Sequence, residues 1–231
     1  MTTSSAYDGF LKSLEIAKGL IQLDTYSVPP KPRDKKYVYG LRGGSLILIV
    51  ASFEEFLNSL PDTHLDVIKR HIKNIDFSKL PVKFIITNVS RTLLELSKNK
   101  DIRKIPDVKK TCRSIINDEI NTSVFKLQGY NPRPKQINII FKVIGVDNIF
   151  EQITERFQKR WHKRISTYLI MDKLNGIIER RNKVAHNTSM ASHITKNDLN
   201  EAIDFLRILA RLLDITYKKR INYICTSARI P

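Results

Sequence analysis

Apolar residues recur three and four positions apart along most of the chain, and proline, glycine and polar clusters interrupt the runs. Phe10, Leu14, Ala17 and Ile21 form one such stripe and predict a helix over residues 6–23. Val28 to Lys36 holds three prolines and four basic residues and reads as an irregular loop. A second helix is expected from Gly40 to Leu60. It is apolar almost all the way round between Leu46 and Phe53, which marks a central core helix, and Pro61 should end it. Further helices are expected over 65–75, from Pro81 to about Asn99, near 107–120, and over 135–144, where Gly145 is a good stop. Asp147 is placed to cap the segment that runs into 157–164. Residues 166–186 predict a long amphipathic helix. Thr195 and Asp198, with Ile194 and Leu199, carry the pattern of a capping box with a hydrophobic staple. A last helix passes through Phe205, Leu209 and Leu213 to about Lys219. No useful run has the two-residue period of a strand, and no repeat is present, so the fold class is all-α, a helical bundle with loops of uneven length.

One position breaks the pattern. On the 166–186 helix, Arg181 shares a stripe with Ile170, Leu174, Ile177, Ile178 and Ala185. A charge on a buried stripe is costly unless it is paired or used. Asn182 and His186, four apart, share the neighbouring face. An arginine, an amide and an imidazole therefore meet at one helix end, the only constellation here with the makings of an active site. On the second helix Glu54 falls in line with Ile47, Val50 and Leu57, so it either pairs with Arg181 or reaches solvent at the helix edge. His64 and His71 lie two turns apart, too far to share a metal ion, and read as surface residues.

Length and charge narrow the picture. The 231 residues fit one domain, 1–231, and the formal net charge of +17 points to a polyanionic partner. Nucleic acid is favoured over an anionic membrane surface, because no basic amphipathic helix carries an exposed aromatic face. Lys159, Arg160, Lys163 and Arg164 surround Trp161, the single tryptophan. Bases can stack on such a ring while the cations hold phosphates; a solvated helix end with a half-buried tryptophan is the alternative. The longest apolar run, Leu46 to Phe53, falls well short of the roughly 20 residues that cross a bilayer. The polar N-terminus lacks the features of a signal peptide, so a cytoplasmic location is expected, with Cys112 and Cys225 as two reduced thiols. No glycine-rich phosphate loop and no paired-cysteine zinc spacing occurs, and no metal or cofactor is expected.

Arg181-Asn182-Lys183-Val184-Ala185-His186 resembles the signature of the HEPN superfamily, an arginine, four to six residues and a histidine, often with a polar residue directly after the arginine. Residues 41–57, Leu41-Arg42-Gly43-Gly44 through Phe56-Leu57, resemble the long second helix of the RiboL-PSP-HEPN and MAE-type HEPN families. Asn131-Pro132 with Ile137 to Val146 resembles their middle segment, and Asp198 to Asp214 their closing helix. The likeness spans about residues 6–220 and is weakest over 61–130, which reads as a helical insertion into a HEPN-type bundle. The resemblance implies a homodimer that joins two signature motifs across a cleft. It further implies metal-independent cleavage of RNA in a toxin–antitoxin or phage-defence setting, where an antitoxin or defence-system protein could be a partner. Relatives that have lost catalysis bind RNA, nucleotides or proteins, and that reading stands as the alternative; a purely structural adaptor would leave the charge unexplained. On this reading Arg181, His186 and Asn182 are catalytic, Glu54 and Arg180 support them, and Lys183 joins the basic residues around Trp161 in holding RNA. Arg180 also meets the spacing, but Arg181 precedes Asn182 and lies on the buried stripe.

Overall fold

Ser4 starts the first helix by accepting a hydrogen bond from the Tyr7 amide, and α1 runs over Ser5–Leu23. The computed structural model describes residues 3–27, 29–70, 76–97, 113, 116–117, 119–127, 131–162 and 164–228. Among them are seven α-helices, short 3-10 turns and no strand, as the apolar periodicity requires. After α1 come α2 (Lys35–Arg70), α3 (Val82–Ser97), α4 (Pro134–Val143), α5 (Ile149–Trp161), α6 (Thr167–His186) and α7 (Lys196–Ser227). The expected loop before α2 is shorter than its prolines suggest: Pro32–Asp34 forms a 3-10 turn that leads straight into the helix. Residues such as His71, Cys112, Lys163 and most of the helix expected near 107–120 lie outside the described residues.

The central element is α2, which touches α1, α6 and α7. Phe53, Phe56, Leu57 and Leu60 are buried on it, and Phe53 and Phe56 meet Phe10 of α1 at centroid distances of 6.1 and 5.6 Å. By length and hydropathy the stretch Pro32–Ile68 could cross a bilayer, but 56% of its apolar window is buried inside the fold. That burial accounts for its apolar character. Pro61 does not end this helix; it is buried within it. An internal proline costs about 3 kcal/mol. The continuation places Leu65 and Ile68 in the core and so recovers apolar burial on the far side of the proline.

The same continuation overturns the surface reading of His64. One turn beyond Leu60, it is buried, and its Nε2 lies 2.8 Å from Asp214 Oδ1 on α7. Asp214 also accepts from the Ser4 amide, which ties the start of α1 to the middle of α7. Burial pushes the Asp214 carboxyl up, but the bonds from His64 and Ser4 outweigh it and leave it below the usual aspartate range. A carboxyl lowered in the folded state contributes stability above its unfolded value and loses it as pH falls through the folded one. The urea midpoint of the wild type should therefore fall more steeply below about pH 4 than that of Asp214→Asn. Parallel acid slopes would show that this carboxylate does not carry the effect.

The described part of 76–127 joins the same core. Phe84 of α3 stacks on Phe125 at 4.6 Å, and the Asn88 side chain bridges the Glu119 carbonyl and the Asn121 amide. Between α4 and α5, Gly145 adopts φ +76°, and a Cβ there would lie 2.5 Å from Arg220 Nη2. Arg220 Nε donates to the neighbouring Ile144 carbonyl at 2.7 Å, so the glycine serves both the turn and the guanidinium beside it. Gly145→Ala should cost about 1–3 kcal/mol, read as a lowered denaturation midpoint. Asp147 does not cap α5. That position belongs to Asn148, at φ 52°, and the Asp147 carbonyl accepts from Gln152 instead. The last helix also extends past Lys219, because Ile221, Ile224 and Cys225 continue its buried face.

Candidate active site

Two ends fix α6. Ser166 caps its start by accepting from the Leu169 amide, and Asn187 closes its end. Asn187 then caps the 3-10 turn Thr188–His193, accepting from the Ser189 amide and hydroxyl. Beyond the turn, the capping box of Thr195 and Asp198 starts α7, with Ile194 and Leu199 both buried. The buried stripe of α6 finishes on Val184, not on Ala185, which is exposed. Val184 lies against α2 at Gly43. A Cβ added there would lie 3.0 Å from Val184 Cγ1 and 3.3 Å from Ala191 Cβ. This close approach seats the end of α6 on α2.

The packing of α6 on α2 brings Arg181 to Glu54. The guanidinium Nη2 lies 3.5 Å from Glu54 Oε2 and 3.4 Å from Asn131 Oδ1, which precedes α4. Both charged side chains are largely sheltered, at 18% exposure for Arg181 and 21% for Glu54. Burial pushes the Glu54 carboxyl above the usual glutamate range; Arg181 opposes this and Glu55 adds to it. Arg180 points elsewhere. It is 62% exposed and bonds Asp198 of the capping box at 3.2 Å. Of the two adjacent arginines, Arg181 is the inward one.

His186 is exposed at the last position of α6, and Asn182, one turn earlier, is half-buried. Lys183 is exposed beside them. The structure thus joins Arg181 to Glu54 beneath the helix end and leaves Asn182 and His186 on an open face. Asn131 was missed as a partner of Arg181. Its signal in the sequence is the Asn131-Pro132 break ahead of α4. Gly43 was likewise missed, although the glycine pair Gly43-Gly44 in an apolar helix marks a close approach.

A family model described as RiboL-PSP-HEPN matches residues 7–219. The chain belongs to the RiboL-PSP-HEPN family. No curated protein and no solved structure matches it. HEPN domains are typically ribonucleases, and membership implies RNA as the substrate.

The basic residues expected to hold RNA divide in this HEPN domain. Lys159 is exposed but engaged with Glu155 at 2.6 Å. Arg160 and Arg164 are exposed. Trp161 is half-buried, edge-on to Phe205 at 5.8 Å, with the Lys173 ammonium 5.6 Å from its ring centroid. Trp161 and Arg164 line a cleft of about 420 Å³ that also takes in Arg180 and Asp198. Of the residues expected to hold RNA, Trp161 and Arg164 thus share a cleft with Arg180, whereas Arg181 does not line it. Among the described residues, no group of three or more His, Cys, Asp or Glu side chains has a metal-holding arrangement.

Proposed function

We propose that this HEPN protein is a metal-independent endoribonuclease with its reacting groups on the final turn of α6. RNA supplies its own nucleophile. The 2′-hydroxyl loses its proton and attacks the adjacent phosphorus, and the bond to the 5′ oxygen breaks. The products are a 2′,3′-cyclic phosphate and a 5′-hydroxyl, the leaving oxygen having taken up a proton. Histidine suits both transfers near neutrality. His186 of one copy acts as the base and His186 of a second copy serves the leaving oxygen. Arg181 stabilises the charge gathering on the phosphate, and Asn182 orients the imidazole or a phosphate oxygen. Glu54 and Asn131 hold Arg181 in place.

The observation that carries this reading is the division at the helix end: an inward arginine fixed by a glutamate and an amide, beneath an exposed histidine. A helix C-terminus disfavours anions, since the dipole there is negative. Pairing two copies, each with its arginine and histidine, offsets that field, which is the physical reason for a homodimeric composite site. The role proposed with it is that of a cytoplasmic toxin or defence effector, restrained by an antitoxin or a partner of the defence system. A second reading follows from the same contacts. Arg181 is already engaged by Glu54, as in a structural ion pair, and the domain would then bind RNA, a nucleotide or a protein without cleaving.

Purified protein should cleave single-stranded RNA in EDTA and leave cyclic phosphate ends. Its expression should arrest growth, with relief by Arg181→Ala. A gel shift without cleavage at any protein concentration would favour the binding module.

A further inference from the structure

Three clefts lie end to end along the exposed stripe of α7. The first, at the end of α6, is the one that holds Arg164, Arg180 and Trp161. The second, about 580 Å³, shares Trp161 and Glu201 with it and adds Arg160 and Arg207. The third, about 490 Å³, shares Arg207 and opens between α7 and α1, where Lys12, Lys18 and Arg211 line it. From Asp198 to Arg211 this path follows α7 for about 20 Å at the helical rise.

Most of the acids on the path are already neutralised. Glu201 pairs with Lys173, Asp204 with Arg207, Asp198 with Arg180 and Glu15 with Lys18. Arg160, Arg164, Lys12 and Arg211 have no carboxylate partner among the described residues, and the one unpaired acid is Asp172. Arg211 has its guanidinium carbon 5.9 Å from the Tyr7 ring centroid, which steadies the cation at the groove floor. The unmatched charge along the path is therefore positive, and Trp161 lines its two inner clefts.

We propose that this path is a single-stranded RNA track. It leads from the end of α6, past Trp161, to a distal phosphate-binding groove formed by Lys12 and Arg211. The track rests on RNA being the ligand of this domain, as in the reading above, but it does not require cleavage. Spaced cations that follow the backbone, with one aromatic for a base, are the elements of sequence-tolerant single-strand binding.

The test uses the full chain and two oligoribonucleotides of about four and about twelve nucleotides, with binding and cleavage both measured in EDTA. Lys12→Gln/Arg211→Gln should weaken binding of the longer strand roughly tenfold or more and leave the shorter one unchanged. The slope of log affinity against log salt should fall by about 1.4, since each lost phosphate contact on a single strand contributes about 0.7. Lys12→Arg/Arg211→Lys should restore the slope. Equal loss on both lengths, or an unchanged slope, overturns the track while leaving the ribonuclease reading intact. Length-dependent binding with no cleavage does the reverse. Binding of the wild type to anionic lipid vesicles, but to neither oligonucleotide, overturns both.

Discussion

Replacing His186 with alanine should abolish RNA cleavage and leave the unfolding midpoint where it was. The two halves of that expectation have separate causes. His186 is exposed at the end of α6, and Val184, two residues before it, does the packing against α2. Truncating an exposed side chain away from such packing changes stability by no more than about 0.5 kcal/mol. Losing a positioned proton-transfer group costs about 100- to 10,000-fold in rate, and more if two copies each contribute one. Arg181→Ala should also remove activity, but with a stability change, because it leaves the sheltered Glu54 carboxyl without its counter-ion. Arg180→Ala removes only an exposed pair and should be mild on both counts. The measurements are cleavage of a fluorescent oligoribonucleotide and thermal unfolding of the same samples. Full activity in a folded His186→Ala protein would end the assignment of the motif.

The largest loss of stability is expected from Asp24→Ala, a residue that the apolar pattern does not single out. Asp24 closes α1, and its carboxylate accepts from Arg42 Nε at 2.7 Å. Both side chains are almost wholly buried, at 0% and 6% exposure. Arg42 Nη1 also donates to the Ile194 carbonyl at 3.0 Å, and the Lys196 ammonium binds the Asp24 carbonyl. Removing one partner of a buried pair leaves the other charge out of water and uncompensated, at about 3–5 kcal/mol. For a domain of this size that lowers Tm by roughly 6–20 °C. Asp24 Oδ1 and Arg42 Nη2 have no hydrogen-bond partner among the described residues, so the pair is imperfectly satisfied. Asp24→Ala/Arg42→Met should therefore recover much of the loss, since well-packed apolar replacements of buried pairs are often neutral. The network also holds Ile194, which closes the turn that follows His186, and Lys196, which opens α7. Asp24→Ala should then lower activity at temperatures where the protein remains folded. An unchanged Tm in the single variant would show that this pair does not anchor the helix junction.

Much of the fold was legible because helices announce themselves locally. The stripe of α1, the capping box at Thr195 and the glycine stop at Gly145 each lie within a few residues of sequence. The misreadings share a cause. Pro61 ends a helix in isolation, but burial of Leu65 and Ile68 beyond it outweighs the local cost. His64 reads as a surface residue until that continuation turns it toward Asp214, 150 residues away in the chain. Asp147 and Asn148 compete for the same cap, and only the backbone conformation at Asn148 separates them.

At the candidate site, the sequence by itself determined that an arginine lies on an apolar stripe, that an amide and an imidazole share the next face, and that a glutamate waits on the central helix. These are consequences of helical periodicity, which needs no partner. Only the tertiary structure decided that the end of α6 sits against α2, at a separation set by Gly43. That packing brings Glu54 within 3.5 Å of Arg181 and sends Arg180 outward to Asp198. It also decided that Asn131, fifty residues from Arg181, is the second acceptor. The physical reason is that periodicity specifies which way a side chain faces, while its partner depends on how two faces are set against each other.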